Sequence, residues 1–263
     1  MTARNKELVV HFYEELFRHG NLAVIDEFVG TEYTDHNPKS TDGPAALRNV
    51  VTGIRAIHPK MHLTIERAIA EDDLVLLHTN AVLEPGTPSH AIVSVFRVRD
   101  DKIVEHWEVM QQVPARTASG NDMFGTLSAP RRQSPDPGVS TAASKQIAWA
   151  LFQDVTADRD LTAFDRYAAD PYYQHTPQAP NGTAAAKDQF ACGFAASPEL
   201  SISVKRVIAE GDYVAFHHHL QLTPDDLGSA VVDIFRVRDG RVVEHWDVTA
   251  PVPATSKNDN TVF

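Results

Sequence analysis

Two aspartates in the last third of the chain, Asp233 and Asp247, have the residue type and spacing for acid–base chemistry. They lie in VVDIFRV and RVVEHWDV, which are typical of consecutive β-strands joined by a turn at Asp239 and Gly240. Counted outward from that turn, the two aspartates stand at similar heights on neighbouring strands. Alternation along each strand puts His245 on the face of Asp247. Two carboxyl groups that share an apolar pocket move apart in pKa, so that one can accept a proton while the other donates one.

The same pair of segments occurs earlier in the chain with two polar positions changed. SVFRVRDDKIVEHWE has Ser94 and Glu108 where the later copy has Asp233 and Asp247. A serine removes the like-charged neighbour, so that any rise in the pKa of Glu108 would have to come from burial alone. We therefore expect the two sites to differ in ligand or in activity.

Self-comparison explains why these segments occur twice. Residues 4–124 align with residues 143–263 without a gap, over a length well beyond the 20–50 residues of a solenoid repeat. Between the copies, GTLSAPRRQSPDPGVSTA is rich in Pro, Ser and Gly and has no apolar periodicity. The prediction is a duplicated domain, with copy one at 1–124, a linker at 125–142 and copy two at 143–263.

The order of predicted elements within one copy indicates the fold class. Three helical patterns come first, in RNKELVVHFYEELFRHG, LAVIDEFV and GPAALRNVVTGIRAIHP. Four strand-like runs follow, HLTIERAIAE, DLVLLHTNAVL, HAIVSVFRVR and KIVEHWEVMQQV, with turns that favour an antiparallel meander. Helices followed by consecutive strands predict an α+β fold, with helices packed on one face of a curved sheet.

Several other polar or aromatic positions allow two interpretations each. His217 and His219 of the HHH run share a strand face and could join His175 or Asp247 in a zinc or iron site. Copy one has Thr79 and Asn80 after its histidine, and a polar pocket wall explains the run equally well, so we expect no metal. His36 and its counterpart His175 precede a proline turn, where they could tie down the loop or face a pocket. Asp247 itself could pair with a surface arginine.

The face opposite the aspartates is expected to be structural. Each Trp of the HW pair is predicted to be buried in the core or at a domain interface and not to contact a ligand. The Glu before the pair is predicted to bind an arginine of the facing strand. The residues concerned are Trp107, Glu105 and Arg97 in copy one, and Trp246, Glu244 and Arg236 in copy two.

Composition excludes several classes of partner. The 263 residues carry a formal net charge of −11, which argues against binding to nucleic acid or to acidic membranes. Cys192 is the single cysteine, so no intramolecular disulfide can form. With no apolar run of membrane-spanning or signal-peptide length, we expect a cytoplasmic protein.

With these residues in hand, the chain resembles the SnoaL-like polyketide cyclase family of the nuclear transport factor two-like superfamily. The resemblance rests on the element Tyr-x-x-His-x-Pro in both copies, IAE-x-D, the strand pair FRVRD…VVEHWD and an Asn-x-x-Phe ending. It implies two cone-shaped domains, each with about three N-terminal helices on a curved mixed or antiparallel sheet. A conical pocket would bind a small-molecule ligand without a cofactor. Relatives commonly pair sheet to sheet, which implies intramolecular pairing of the two domains here, with a further homodimer possible.

The resemblance also implies roles for individual residues. Asp247 would be the general base, supported by Asp233 and His175, and the corresponding groups of copy one would be Glu108 and His36. A protonated His175 or the Tyr172 hydroxyl could stabilise an enolate oxygen. The other expected pocket residues are Tyr33, Ser94, Phe96, His106, Tyr172, His217, His219, Phe235 and His245.

Three functions remain open from the sequence. The leading hypothesis is a cyclase, isomerase or lyase acting on a carbonyl or polyketide-like substrate, and it needs Asp247 and His175 near one another in an apolar pocket of at least about 300 Å³. A non-catalytic binding protein needs the pocket but no perturbed carboxylate. A pseudo-dimeric scaffold would have its interior filled by side chains such as Phe216, Phe235 and Tyr213.

Overall fold

In each repeat the helices precede a five-stranded sheet. The structure, a computed structural model, describes residues 2–129 and 133–263. The elements of the first repeat are α1 (Thr2–Tyr13), α2 (Ala23–Phe28), β1 (Val29–Asp35), α3 (Pro44–Ile57), β2 (His62–Glu71), β3 (Leu74–Val82), β4 (His90–Arg99) and β5 (Lys102–Gln112). Those of the second are α4 (Thr141–Thr156), α5 (Ala163–Tyr167), β6 (Ala168–Gln174), α6 (Thr183–Ala196), β7 (Ser201–Glu210), β8 (Tyr213–Gln221), β9 (Ser229–Arg238) and β10 (Arg241–Pro251). This order confirms the predicted α+β class.

The two sheets have the same topology, with one strand more than the predicted meander. Their strand orders are β1-β5-β4-β3-β2 and β6-β10-β9-β8-β7. The additional strands β1 and β6 pair in parallel with β5 and β10, whereas all other pairs are antiparallel. β1 contains the YTD segment, which the sequence interpretation placed in neither a helix nor a strand. A seven-residue strand whose partner lies about 70 residues away has little local signal, since its hydrogen bonds depend on the tertiary fold.

Glycines set the angle at which the third helix of each repeat leaves its short strand. Gly43 has φ 93° and donates its N–H to the Tyr33 carbonyl at 2.8 Å, and Gly182 has φ 98° and makes the same bond to Tyr172. A side chain would strain the backbone at this φ, so glycine is the residue that permits the turn. The bond holds the start of the helix beside the strand that carries the tyrosine.

The predicted burial of the two tryptophans is confirmed. Trp107 is 1% exposed and Trp246 is 0% exposed. In the first repeat Arg97 binds Glu105, as predicted. In the second repeat the expected bond between Arg236 and Glu244 is not formed. There the Arg236 Nε donates to Asp212 Oδ2 at 2.7 Å, and Glu244 has other partners, described below.

The compact units do not follow the repeats along the whole chain. Unit 1 comprises Met1–Val113 and Pro253–Phe263, and unit 2 comprises Pro114–Val252. The C-terminal segment of copy two thus belongs to the unit built on copy one, and the corresponding segment of copy one belongs to unit 2. The repeat boundaries predicted from the sequence therefore differ from the units in space.

Asparagines at matching positions attach each C-terminal segment to its unit. In unit 1 the Asn258 side chain donates to the carbonyls of Asp35, Asn37 and Ser40 at 2.9–3.0 Å, and Asn260 donates to Asp35 at 2.9 Å. These side chains donate hydrogen bonds to carbonyls at the end of β1 and in the loop that follows it.

In unit 2 the Asn121 side chain binds the Gln174 carbonyl at 3.0 Å and Asn181 Oδ1 at 2.8 Å. The predicted linker lies within unit 2, where Asp136 N donates to Asp212 Oδ1 at 2.7 Å. Residues 130–132 of that linker lie outside the described residues. Among the residues that the structure describes, no helix has the length and apolar character needed to cross a membrane.

Candidate active site

Unit 2 contains a cavity of about 330 Å³ between its helices and the inner face of its sheet. Most of its wall is apolar and comprises Leu151, Phe152, Val155, Phe164, Phe190, Phe194, Leu200, Ile202, Leu220, Val231 and Phe235. Its polar lining includes Tyr172, Gln174, Thr176, His218, Asp233, His245 and Asp247. An apolar cavity with a few connected polar groups is the usual form of a small-molecule site.

The strand register brings the polar groups together. On β9 and β10, Asp233 lies directly opposite Asp247, as their equal distance from the turn predicts. On the other side of β9, Asp233 lies opposite Phe216 of β8, so that His218, two residues further, shares their face. Three neighbouring strands therefore supply the polar groups of one wall.

Two histidines bind the Asp233 carboxylate. His218 Nε2 lies 2.8 Å from Asp233 Oδ2, and His245 Nε2 lies 2.9 Å from Asp233 Oδ1. Burial alone would raise the pKa of this carboxyl, but the hydrogen bonds and charges of His218 and His245 hold it well below its usual range. Asp233 is therefore an ionised acceptor and not a proton donor.

The orientation of the His245 ring is fixed from its other side. Gln174 Oε1 accepts the backbone N–H of Thr176 at 3.2 Å, and the same oxygen lies 2.7 Å from His245 Nδ1. Since an amide oxygen only accepts, His245 Nδ1 donates to it. Both ring nitrogens of His245 then face acceptors, Gln174 on one side and Asp233 on the other.

Asp247 has the opposite environment to Asp233. Its Oδ1 is buried and has no hydrogen-bond partner among the described residues. Burial, aided by the negative charge of Asp233, raises the pKa of Asp247 to about 6, against the opposing effects of His245, Thr176 and His218. A carboxylate with this pKa in an apolar cavity is a strong base for its residue type near neutral pH.

Tyr172 adds a hydroxyl to the same wall. Burial and the negative charges of Asp233 and Asp247 raise the pKa of the Tyr172 hydroxyl, which keeps its proton. It can therefore donate a hydrogen bond to an oxygen that gains negative charge.

The corresponding polar groups of unit 1 form a different arrangement. Glu108 lies opposite Ser94, and Asn37 Nδ2 donates to Glu108 Oε1 at 3.1 Å. Burial raises the pKa of Glu108. His106 Nδ1 lies 3.2 Å from Asp35 Oδ1. Burial opposes charge on His106, but its hydrogen bond with Asp35 and the Asp35 charge outweigh burial and raise its pKa.

At two positions that line the cavity of unit 2, unit 1 has larger residues. Leu47 and Ile54 stand where copy two has Ala186 and Gly193, and Leu47 is part of the buried core together with Tyr33 and Phe96. A cavity of about 160 Å³ in this unit is lined by Tyr13, Glu14, Arg18 and residues 62–65, and Glu108 is not part of its wall. Phe96 stacks on His106 with ring centroids 4.7 Å apart, as Phe235 stacks on His245 at 4.6 Å in unit 2.

The structure places His175 outside the cavity lining. Its ring stacks on Trp246, and its Nε2 lies 2.9 Å from Glu244 Oε1. Glu244 also accepts from Thr126 Oγ1 and the backbone N–H of Leu127, both at 2.6 Å. His175 therefore connects the loop that follows β6 to β10 and, through Glu244, to residues 126–127, and we assign it no catalytic role.

His36 occupies the same position in unit 1. It stacks on Trp107, lies 3.0 Å from Glu105 Oε1, and its Nδ1 lies near the Thr261 carbonyl. The alternative in which these two histidines hold a loop in place has the better structural support.

His217 and His219 also lie outside the cavity lining. His217 Nδ1 lies 3.1 Å from Arg206, and His219 Nε2 lies 2.8 Å from the Leu227 carbonyl. The histidine that lines the cavity is His218. The sequence interpretation missed it because the β8–β9 loop offers no clear turn from which to count the register.

Gln174 and Thr176 were missed as well. Their only signal in the sequence is that they occupy variable positions of the Tyr-x-x-His-x-Pro element. In the described parts of the chain, no group of three or more His, Cys, Asp or Glu side chains has an arrangement suited to a metal ion.

Comparisons with known proteins agree with this architecture. A family model for SnoaL-like polyketide cyclases matches residues 7–118, and a model for the SnoaL-like domain matches residues 150–245. No curated protein matches the sequence significantly.

Solved structures that resemble the chain each cover about one repeat. AclR from Streptomyces galilaeus is 24% identical, with a TM-score of 0.37 over 43% of this chain and 81% of that chain. TsrD from Streptomyces laurentii is 20% identical, with a TM-score of 0.35 over 42% and 90% of the two chains. A SnoaL-like protein of unknown function from Burkholderia thailandensis E264 is 19% identical, with a TM-score of 0.37 over 44% and 99%. The two family matches together cover most of the sequence, and the chain belongs to the SnoaL-like family, with two of its domains in tandem.

Proposed function

We propose that unit 2 is a cofactor-independent acid–base catalyst of the cyclase or isomerase type, acting on a small apolar substrate that contains a carbonyl group. The observation that carries the proposal is the Asp247 carboxyl, which has a buried oxygen without a partner and a pKa raised to about 6 in an apolar cavity. A protein that only binds its ligand has no need of such a carboxylate, whose ionisation costs folding free energy.

The first step is a proton transfer from carbon. Asp247 removes the proton next to the substrate carbonyl, and the electron pair of the broken C–H bond moves into an enolate. The Tyr172 hydroxyl lines the same cavity and donates a hydrogen bond to the enolate oxygen. Return of the proton to another carbon gives isomerisation. Attack of the enolate carbon on a second carbonyl moves that carbonyl's electron pair onto its oxygen, which takes the proton from Asp247 and completes ring closure.

The cavity wall defines the kind of substrate that fits. Its lining residues include no lysine or arginine, so the wall offers no permanently charged cationic side chain to a phosphate or carboxylate. Aromatic and aliphatic side chains make up most of the surface. We therefore expect an uncharged ligand with a large apolar surface.

Unit 1 is the weaker candidate for catalysis. Its carboxylate is bound by Asn37, and Leu47 belongs to its buried core where unit 2 has the smaller Ala186. We propose that unit 1 contributes little or no activity. This agrees with the expectation of unequal sites but assigns the chemistry to copy two.

A proton-exchange assay tests the proposal without knowledge of the natural substrate. 2-Tetralone is an uncharged bicyclic ketone with exchangeable protons next to its carbonyl, and their replacement in D₂O is followed by proton NMR. We expect the wild-type protein to accelerate the exchange, and Asp247→Asn to reduce the acceleration by about 10²–10⁴-fold. Glu108→Gln, the matched change in unit 1, should leave the rate within about twofold. Saturable binding of 2-naphthol, a stable mimic of the enol, without accelerated exchange would favour the binding-protein alternative.

A further inference from the structure

His218 is a buried cavity residue with one ring nitrogen still available to a ligand. The residue is 2% exposed and lines the cavity, and its Nε2 binds Asp233 Oδ2 at 2.8 Å. Its Nδ1 is buried and has no hydrogen-bond partner among the residues that the structure describes. A buried polar atom of this kind calls for an explanation, and a ligand atom in the cavity would supply its partner.

The protonation of the His218 ring follows from its partner. Asp233 is ionised, and a carboxylate only accepts hydrogen bonds, so His218 Nε2 carries the hydrogen. Nδ1 is then the nitrogen that gains or loses a proton. In catalytic triads a carboxylate likewise holds an imidazole in one tautomer, although there it binds Nδ1 and leaves Nε2 for the proton transfer.

His245 binds the same carboxylate, but both of its ring nitrogens have partners within the protein. Its Nε2 faces Asp233 Oδ1 and its Nδ1 faces Gln174 Oε1, so both nitrogens are occupied within the protein. Of the two histidines on Asp233, His218 alone has a ring nitrogen without a hydrogen-bond partner among the described residues.

Unit 1 lacks both members of the pair. Thr79 and Ser94 stand at the positions of His218 and Asp233, while the carboxyl after the HW pair is retained as Glu108. The two repeats thus differ at the same two positions that form the imidazole–carboxylate pair.

We propose that His218 is a second acid–base residue of unit 2, which transfers a proton to and from the substrate oxygen while Asp247 acts on the substrate carbon. In the forward step Asp247 takes the proton from carbon, and the C–H electron pair forms the enol double bond. The carbonyl oxygen receives the proton of His218 Nδ1, which leaves His218 neutral. In the reverse step the enol O–H proton returns to Nδ1, and Asp247 returns its proton to carbon. The inference rests on the proposed function and adds the group that handles the oxygen.

The variant His218→Gln separates this role from folding. A glutamine amide can reach the position of Nε2 and donate to Asp233, but it places no group at the position of Nδ1. His218→Thr reproduces the residue of unit 1 and serves as the second variant. His219→Thr, on the opposite face of the same strand, is the matched control.

Two ligands measure the contact directly. 2-Naphthol has a hydroxyl that can bind Nδ1, and naphthalene has the same rings without it. We expect His218→Gln to weaken 2-naphthol binding at least tenfold and to leave naphthalene binding within about twofold, as measured by ligand fluorescence. Equal losses for both ligands, or no loss for either, would overturn the proposed contact.

The exchange assay separates failure of this inference from failure of the proposed function. Both His218 variants should slow 2-tetralone exchange by about 10²-fold, and His219→Thr should not. If Asp247→Asn abolishes the exchange and the His218 variants do not, Asp247 keeps its role and His218 has none. If the wild-type protein gives no exchange at all, the proposed function fails for this ketone. The naphthol–naphthalene comparison then decides whether Nδ1 contacts a ligand oxygen.

Discussion

Asp233 and Asp247 lie directly opposite each other on neighbouring antiparallel strands, yet their carboxyl groups have pKa shifts in opposite directions. The difference comes from their partners, because two histidines bind Asp233 whereas Asp247 Oδ1 has no partner among the described residues. One aspartate is held ionised, and its charge makes the other harder to ionise. The same wall thus contains a fixed negative charge and a titrating base.

The pH dependence of exchange should report this coupling. A general base acts in its ionised form, so the 2-tetralone exchange rate should rise as the pH increases through about 6. In Asp233→Asn the negative neighbour is removed, and the inflection should move to lower pH. The measurement is the exchange rate between pH 4 and 9. An inflection that stays at the same pH in Asp233→Asn would show that the two carboxyls do not interact.

Asp247→Asn should stabilise unit 2 at neutral pH while it removes activity. The folded-state pKa of Asp247 is raised from 3.8 to about 6, so the folded protein binds the proton more tightly than the unfolded chain. The stability that protonation of Asp247 contributes is present in full below about pH 3.8 and is lost as the pH rises through about 6. Removing the carboxylate should therefore increase the free energy of unfolding above pH 6 by up to about 3 kcal/mol. Denaturant unfolding at pH 8 and pH 3.5 checks this, and a gain of equal size at both values would contradict the assignment to Asp247.

The ionised carboxylate of Glu244 should stabilise the folded protein, in contrast to that of Asp247. Burial alone would raise its pKa, but hydrogen bonds from His175, Leu127 N–H, Ser128 and Thr126 lower it from 4.5 to about 2. Its stabilising contribution is present above about 4.5 and is lost as pH falls through about 2, and it amounts to about 3 kcal/mol.

Glu244→Gln tests this contribution to the stability of unit 2. We expect the variant to lower the free energy of unfolding at pH 7 and to flatten the loss of stability between pH 4.5 and 2, as followed by hydrogen exchange of β10. The exposed Glu199→Gln is the control and should change neither quantity. If Glu244→Gln matches the wild type in both, the buried bonds around this carboxylate contribute no net stability.

The sequence predicted the parts of the molecule that depend on local pattern. The repeat, the helices and the alternation that pairs Asp233 with Asp247 are all visible in residue spacing. What it missed depends on partners distant in sequence. β1 and β6 form only against the last strand of their sheets, and the cavity face of β8 follows from its pairing with β9, which assigns His218 and not His217 to the wall. The stacking of His175 on Trp246 likewise requires the tertiary fold.

Gly193→Ile should close the cavity of unit 2. Gly193 lines the cavity on α6, and an added Cβ meets no atom within 4 Å, whereas copy one has Ile54 at this position. We expect 2-naphthol binding to weaken at least tenfold, with no loss of stability, since isoleucine is a better helix former than glycine by about 0.5 kcal/mol. Cys192→Ile, at the exposed neighbouring position, should leave binding unchanged. Undiminished binding in Gly193→Ile would show that the naphthol occupies another site.

The exchanged C-terminal segments should make the stability of each unit depend on the end of the other repeat. Asn258 donates to three backbone carbonyls of unit 1, and that of Asp35 also accepts from Asn260. Asn258→Ala should therefore destabilise unit 1 by about 1–3 kcal/mol, because the carbonyls of Asn37 and Ser40 lose this bond. Hydrogen exchange followed by mass spectrometry resolves the units, and protection should fall in β1 and α3 but not in β6 and α6. Asn121→Ala should give the reverse pattern, because its side chain binds the Gln174 carbonyl of unit 2. Asp259→Ala, an exposed change between the two bonded asparagines, should affect neither unit. If Asn258→Ala instead weakened unit 2, each end segment would have to fold back on its own repeat, contrary to the exchange described above.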